Sequence, residues 1–156
     1  MNRFTRTLLA IAALVSLSSA AAPASAATCG FTAVAGLSFG AYDVFGPNVD
    51  AAGSLTYVCT GVLPGDNVVI TLETGGSSSF TPRQMQSGPY RLDYNIFLDA
   101  TRISIWGDGT AGSVFYGPVV PPEALPIVVP MYGRIPSGQD AHVGVYTDTI
   151  IVTMSF

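Results

Sequence analysis

Apolar and polar residues alternate with a period of two along most of the chain. In Gly53–Thr60, Leu55, Tyr57 and Cys59 fall on one face and Ser54, Thr56 and Val58 on the other. After a turn at Pro64, Gly65 and Asp66, the next strand turns Val68, Ile70 and Leu72 inward. Leu92, Tyr94, Ile96 and Leu98 share a face, opposite Asp93, Asn95, Phe97 and Asp99. The same alternation predicts strands over Gly36–Tyr42, with Leu37 and Phe39 together, and over Ile127–Ile135, with Ile127, Val129 and Met131 together. Pro130 inside the latter predicts an edge or bulge position. A short strand starting at Arg102 ends in a Gly107–Asp108–Gly109 turn, and Pro118, Pro121, Pro122 and Pro126 mark an irregular or edge segment. The chain closes with one long predicted strand, Val143–Phe156. There Ile150, Val152, Met154 and Phe156 face one way, and Ile151, Thr153 and Ser155 the other. Helical periodicity is nearly absent. About seven short strands with turn signals between them predict an all-β, immunoglobulin-like sandwich.

The first residues break this pattern. Arg3 and Arg6 precede an apolar run, Leu8–Ala22, and the small residues Ala24–Ala26 follow. A run this short and alanine-rich reads as a secretory signal peptide cut after Ala26 rather than as a membrane anchor. Residues 1–26 are then a leader and residues 27–156 one domain. All ten acidic residues but only four of the six arginines lie in that domain, a balance of −6, and there is no lysine. With no basic cluster, nucleic acid and anionic membrane surfaces are poor partners. An exported chain meets an oxidising compartment, so its two cysteines, Cys29 and Cys59, are expected to form one disulfide.

Catalytic chemistry has little to build on. His142 is the single histidine and falls in a loop, which leaves no second histidine for a zinc site. Asp93, Asp99 and Asp108 could be read as an acid pair or calcium site. Each also fits ordinary turn or polar-face chemistry. Trp106, with nearby aromatic residues, is a possible surface-binding platform for a sugar, although a lone tryptophan at a strand end also suits a core. No catalytic residue, metal or cofactor is expected, and the chain is not read as an enzyme.

Taken in order, five stretches resemble a known family: "LSFGAYD" (Leu37–Asp43), "LTYVCT" (Leu55–Thr60), "RQM" (Arg83–Met85), "LDYNIFLDATRISIWGDGT" (Leu92–Thr110) and "GRIPSGQDAHVGVYTDTIIVTMSF" (Gly133–Phe156). They are similar to the spore coat protein U domain, which includes the subunits of archaic chaperone–usher pili. The resemblance implies an incomplete immunoglobulin-like sandwich that lacks its final strand. It also implies a groove filled by a donor strand, first from a periplasmic chaperone and then, at the outer-membrane usher, from a neighbouring pilin subunit. Ile150, Val152, Met154 and Phe156 are the candidates to line that groove. The implied product is a pilus at the cell surface.

One departure from the family pattern shapes the expectation further. Cleavage after Ala26 leaves only Ala27 and Thr28 ahead of Cys29, too little to fill apolar pockets in a neighbour. The chain is therefore expected to accept a strand but not to give one, as a terminal or tip-proximal subunit would. Two alternatives stand beside it: a secreted spore-coat or matrix protein with a self-contained fold, and a surface-adhesion or carbohydrate-binding module.

Overall fold

The computed structural model describes residues 26–156. Apart from Ala26, the expected leader lies outside the described residues. No helix among the described residues is long and apolar enough to cross a membrane. They form eight strands: β1 (Thr28–Ala35), β2 (Val49–Thr60), β3 (Val68–Leu72), β4 (Arg83–Ser87), β5 (Tyr90–Phe97), β6 (Tyr116–Val119), β7 (Ile127–Ile135) and β8 (Val152–Ser155). A single 3-10 turn, Gly75–Ser77, follows β3.

Two sheets result. One has five strands in the order β1-β2-β7-β5-β4, the other three in the order β6-β3-β8. Every strand pair is antiparallel. The period-two faces read from the sequence are the ones buried between the layers. Leu55, Tyr57 and Cys59 of β2, Leu92, Tyr94 and Ile96 of β5, and Val129 and Met131 of β7 meet Val68, Ile70 and Leu72 of β3. Cys29 lies directly opposite Cys59 in the β1–β2 register, and the two form a disulfide. The expected all-β sandwich with one disulfide is thus the observed fold.

Trp106 is fully buried between the layers, where its indole Nε1 donates to the Ile70 carbonyl at 3.0 Å. Arg83 is also fully buried. Its guanidinium donates to the carbonyls of Glu73 and Trp106 and to Asn95 Oδ1. Pro130 is tolerated because β7 pairs with β5 only over Tyr132–Arg134, so around Pro130 β2 is the one neighbour and the strand is locally an edge.

Three predicted strands are not strands over the expected lengths. Leu37–Tyr42 forms no ladder, Ser104–Trp106 makes isolated bridges to Phe97 and Val114, and only Val152–Ser155 of the long final segment pairs continuously. Alternation survives in the first and last, since Leu37 and Phe39 turn inward, as do Tyr146, Ile150, Val152 and Met154. A strand needs a hydrogen-bonded neighbour as well as a two-sided pattern. For Leu37–Tyr42 and for most of Val143–Ile151 that neighbour is missing among the described residues.

Candidate functional site

Those two unpaired segments face each other across an open groove of about 1070 Å³. Its floor is the inner face of the five-stranded sheet, through Leu55, Leu92, Tyr94, Ile96, Met131 and Ile135. One wall is Gly36–Val44, which continues from β1, and the other is Ala141–Val152, which leads into β8. The three-stranded layer is too narrow to cover the five-stranded one, and the groove is the uncovered part.

The first wall is seated by a glycine. Gly133 takes an inward position of β7, and a Cβ there would come within 2.6 Å of Phe39 Cζ and 2.8 Å of Leu37 Cδ1. These two side chains therefore lie flat against the β7 backbone and carry their own backbone above it. At the far end, Tyr42 is tied down. Its hydroxyl donates to the Pro136 carbonyl and accepts from the Gln139 amide.

The second wall is held along one side only. Thr147 exchanges both backbone hydrogen bonds with Gln86, at 2.8 and 3.1 Å, and the Ile151 carbonyl accepts from the Glu73 amide. In an antiparallel ladder the backbone groups of alternate residues point to opposite sides. Odd-numbered positions here point toward β3 and β4. The N–H and C=O groups of Tyr146, Asp148, Ile150 and Val152 consequently point toward the groove, as do their side chains. Among the described residues, Tyr146, Asp148 and Ile150 make no backbone–backbone hydrogen bond, nor do Leu37–Tyr42 on the opposite wall. The groove thus offers an apolar floor between two extended backbones with unused donors and acceptors.

One polar cluster interrupts the apolar lining. Tyr94 Oη donates to Asp148 Oδ2 at 2.7 Å, while Asp148 Oδ1 accepts from the amides of Gly76 and Thr149 at 3.0 and 2.8 Å. Burial, reinforced by the hydrogen bond to Asp148, pushes the Tyr94 phenol far above the usual tyrosine range. The phenol therefore remains a proton donor across the ordinary pH range. At the mouth, His142 stacks on Tyr90 with ring centroids 4.0 Å apart.

Of the four predicted groove residues, Ile150 and Val152 line the groove. Met154 packs into the closed part of the core opposite Ile70. Phe156 is 54% exposed and lies outside both. Trp106, considered as a surface-binding residue, has 0% exposure and cannot present its ring to a sugar, because it sits in the centre of the sandwich. Asp93, Asp99 and Asp108 are each engaged locally. Asp93 accepts from Gln84, Asp99 ties its own turn through Thr101, Ile103 and Ser104, and Asp108 caps Thr110. The first wall and the Tyr94–Asp148 pair were missed in the sequence. Leu37 and Phe39 show the right alternation, but alternation cannot distinguish a closed core from an open one.

The fold has a counterpart among solved structures. The chain resembles a crystal structure of the CsuC–CsuE chaperone–tip adhesion subunit pre-assembly complex from the archaic chaperone–usher Csu pili of Acinetobacter baumannii, with a TM-score of 0.57 and 21% identity. The match covers 83% of this chain and 40% of that one, and it supports the fold alone. Protein U of Myxococcus xanthus is 34% identical over 136 residues, which span 77% of this chain and 71% of the relative. The Spore Coat Protein U domain profile matches residues 14–153. With nearly its whole length matched, this chain belongs to the Spore Coat Protein U domain family.

Proposed function

We propose that this chain is a non-catalytic structural subunit of a surface pilus, assembled by a chaperone and usher through donor-strand complementation. The observation that carries the reading is the groove, with apolar floor residues beneath two facing backbones in which Leu37–Tyr42 on one side and Tyr146, Asp148 and Ile150 on the other make no backbone–backbone hydrogen bond among the described residues. An extended strand with alternate apolar side chains matches it on both counts: the main chain would complete the ladders and the side chains would fill the floor. Family membership and the chaperone-bound state named for the Acinetobacter structure support the same reading. On it the partners are a periplasmic chaperone, an outer-membrane usher and neighbouring subunits, and the chain is exported through the periplasm to the cell surface.

The direction of the groove supports linear assembly. Thr28 begins β1 beside Thr60, at the end of the sandwich where Tyr57 meets Ile127. The groove reaches the opposite end, at Ile135 and His142. A strand supplied from ahead of one subunit's β1 to the next subunit's groove joins opposite ends, and such a head-to-tail contact repeats from subunit to subunit. A terminal or tip-proximal place follows only if cleavage falls after Ala26, and sequencing the exported protein's N-terminus tests that step.

The deciding experiment expresses the chain with and without its cognate chaperone. A stable one-to-one complex, and aggregation or proteolysis of the chain alone, are the expected results. A soluble, protease-resistant monomer that folds cooperatively without any partner would remove the open-groove reading. The description of the family as a spore coat domain favours a second reading, a secreted spore-coat or matrix-type protein with a self-contained fold. That monomer is what the second reading predicts.

A further inference from the structure

We propose that Tyr94 and Asp148 form a strut that sets the separation of the groove walls before a strand arrives. The proposal rests on the strand-acceptor reading and assigns positioning residues to that site. Tyr94 stands on the floor and reaches both walls. Its ring packs edge-on against Phe39 of the first wall, with centroids 5.9 Å apart and planes at 74°. Its hydroxyl holds Asp148 of the second wall at 2.7 Å. Asp148 is in turn held by the Gly76 and Thr149 amides.

The surrounding backbone is shaped to admit this contact. A Cβ on Gly75 would overlap Asp148 Oδ2 and come within 2.7 Å of Ile150 Cδ1. The residue that lets the second wall approach is therefore a glycine, and its φ of 70° suits one as well. Immediately before the strut, Val143 and Val145 are 99% and 82% exposed, with no backbone–backbone hydrogen bond among the described residues. The wall is pinned at Thr147–Asp148, and before it side-chain contacts, the His142–Tyr90 stack and the Tyr146 hydroxyl on the His142 carbonyl, hold it.

A wall bonded along one side only opens locally at low cost. Only the fraction of molecules with both walls in place can receive a strand, and the apparent affinity falls by that fraction. The strut raises that fraction. Once a strand is seated, its own two ladders hold the walls and the strut matters little. The pair therefore governs arrival rather than departure.

The test dilutes the chain, freshly released from its purified chaperone complex, into a labelled ten-residue synthetic peptide alternating valine with threonine, followed by stopped-flow fluorescence. Tyr94→Phe keeps the ring on Phe39 and removes the hydroxyl. Asp148→Asn keeps an acceptor for the two amides, and it serves if Tyr94→Phe folds poorly. The association rate is expected to fall about tenfold in Tyr94→Phe, the equivalent of one charge-assisted hydrogen bond, and by less in Asp148→Asn, whose amide N–H donates to the Tyr94 hydroxyl in place of the charged acceptor, with the dissociation rate within about twofold of wild type in both. Unchanged association with a lower urea midpoint would make the pair a general stabiliser and overturn the proposal. Equal changes in both rates would overturn it too. A wild-type chain that accepts a strand neither from the peptide nor from its chaperone removes the acceptor reading, and the strut with it.

Discussion

Arg83 is the side chain whose loss the fold should tolerate least. It has 0% exposure and makes four hydrogen bonds: Nε and Nη2 to the Glu73 carbonyl, Nη2 also to the Trp106 carbonyl at 2.7 Å, and Nη1 to Asn95 Oδ1 at 2.9 Å. Burial lowers its pKa, against the fields of Tyr94, Asp148 and Asp108, which raise it. Its cost of burial is offset by satisfied donors, so one guanidinium ties the segment after β3, the Trp106 turn and β5 together. In Arg83→Ala the Glu73 and Trp106 carbonyls lose the donors shown for them, while Asn95 Oδ1 keeps the Ile96 amide. Two orphaned carbonyls at about 1 kcal/mol each and two buried methylenes at about 0.8 kcal/mol each give a loss of about 4 kcal/mol. Arg83→Met keeps the aliphatic packing and should lose about 2 kcal/mol. Urea denaturation of the chain filled by a tryptophan-free donor peptide, followed by fluorescence of Trp106, the chain's single tryptophan, measures both in one experiment, and the same complex serves for the urea midpoints below. If both variants lie within about 1 kcal/mol of wild type, the network does not hold the sandwich together, and the reasoning is wrong.

Three further outcomes are expected. Replacing Cys29 and Cys59 with serine releases a loop of sequence separation 30 and should lower stability by about 3–4 kcal/mol, read from urea midpoints under non-reducing conditions. Gly133→Val drives a side chain into Phe39 and Leu37, so it should abolish chaperone capture while leaving Trp106 emission unchanged; full capture would show that the first wall need not lie on β7. Acid should destabilise the fold. The Glu123 pKa is lowered by the Val62 and Gly61 amides, and the Asp50 pKa by its hydrogen bond to Arg134. Carboxylates with depressed folded pKa values contribute stability above their unfolded values, here near 4.5 and 3.8, and lose it as pH falls through the folded ones. The urea midpoint should hold from pH 7 to about 5 and fall by pH 3, less steeply in Glu123→Gln; a midpoint that rises on acidification contradicts this.

Period-two patterning was enough to name the buried faces of β2, β3 and β5, because side-chain direction along a strand is a local property. Leu55, Tyr57 and Cys59, Val68, Ile70 and Leu72, and Leu92, Tyr94 and Ile96 all lie where alternation puts them. Two cysteines in an exported-looking chain were enough for the disulfide. Arg83 looked like one of four scattered charges, and its burial depends on carbonyls from three separate segments meeting at one point. Trp106 stood at a strand end, where core and surface platform were both open, and the stacking of the two sheets puts it at the centre of the core. The groove is the clearest case. Leu37–Tyr42 and Val143–Ile151 carry strand patterns, yet a strand is completed by a neighbour that local sequence does not specify. Which edges are paired, and which remain open across the floor at Tyr94, is decided by long-range registers such as Ala35 with Ser54 and Leu72 with Val152. The alternating residues establish that these segments have strand character, and the tertiary structure decides which of their edges stay unpaired among the described residues.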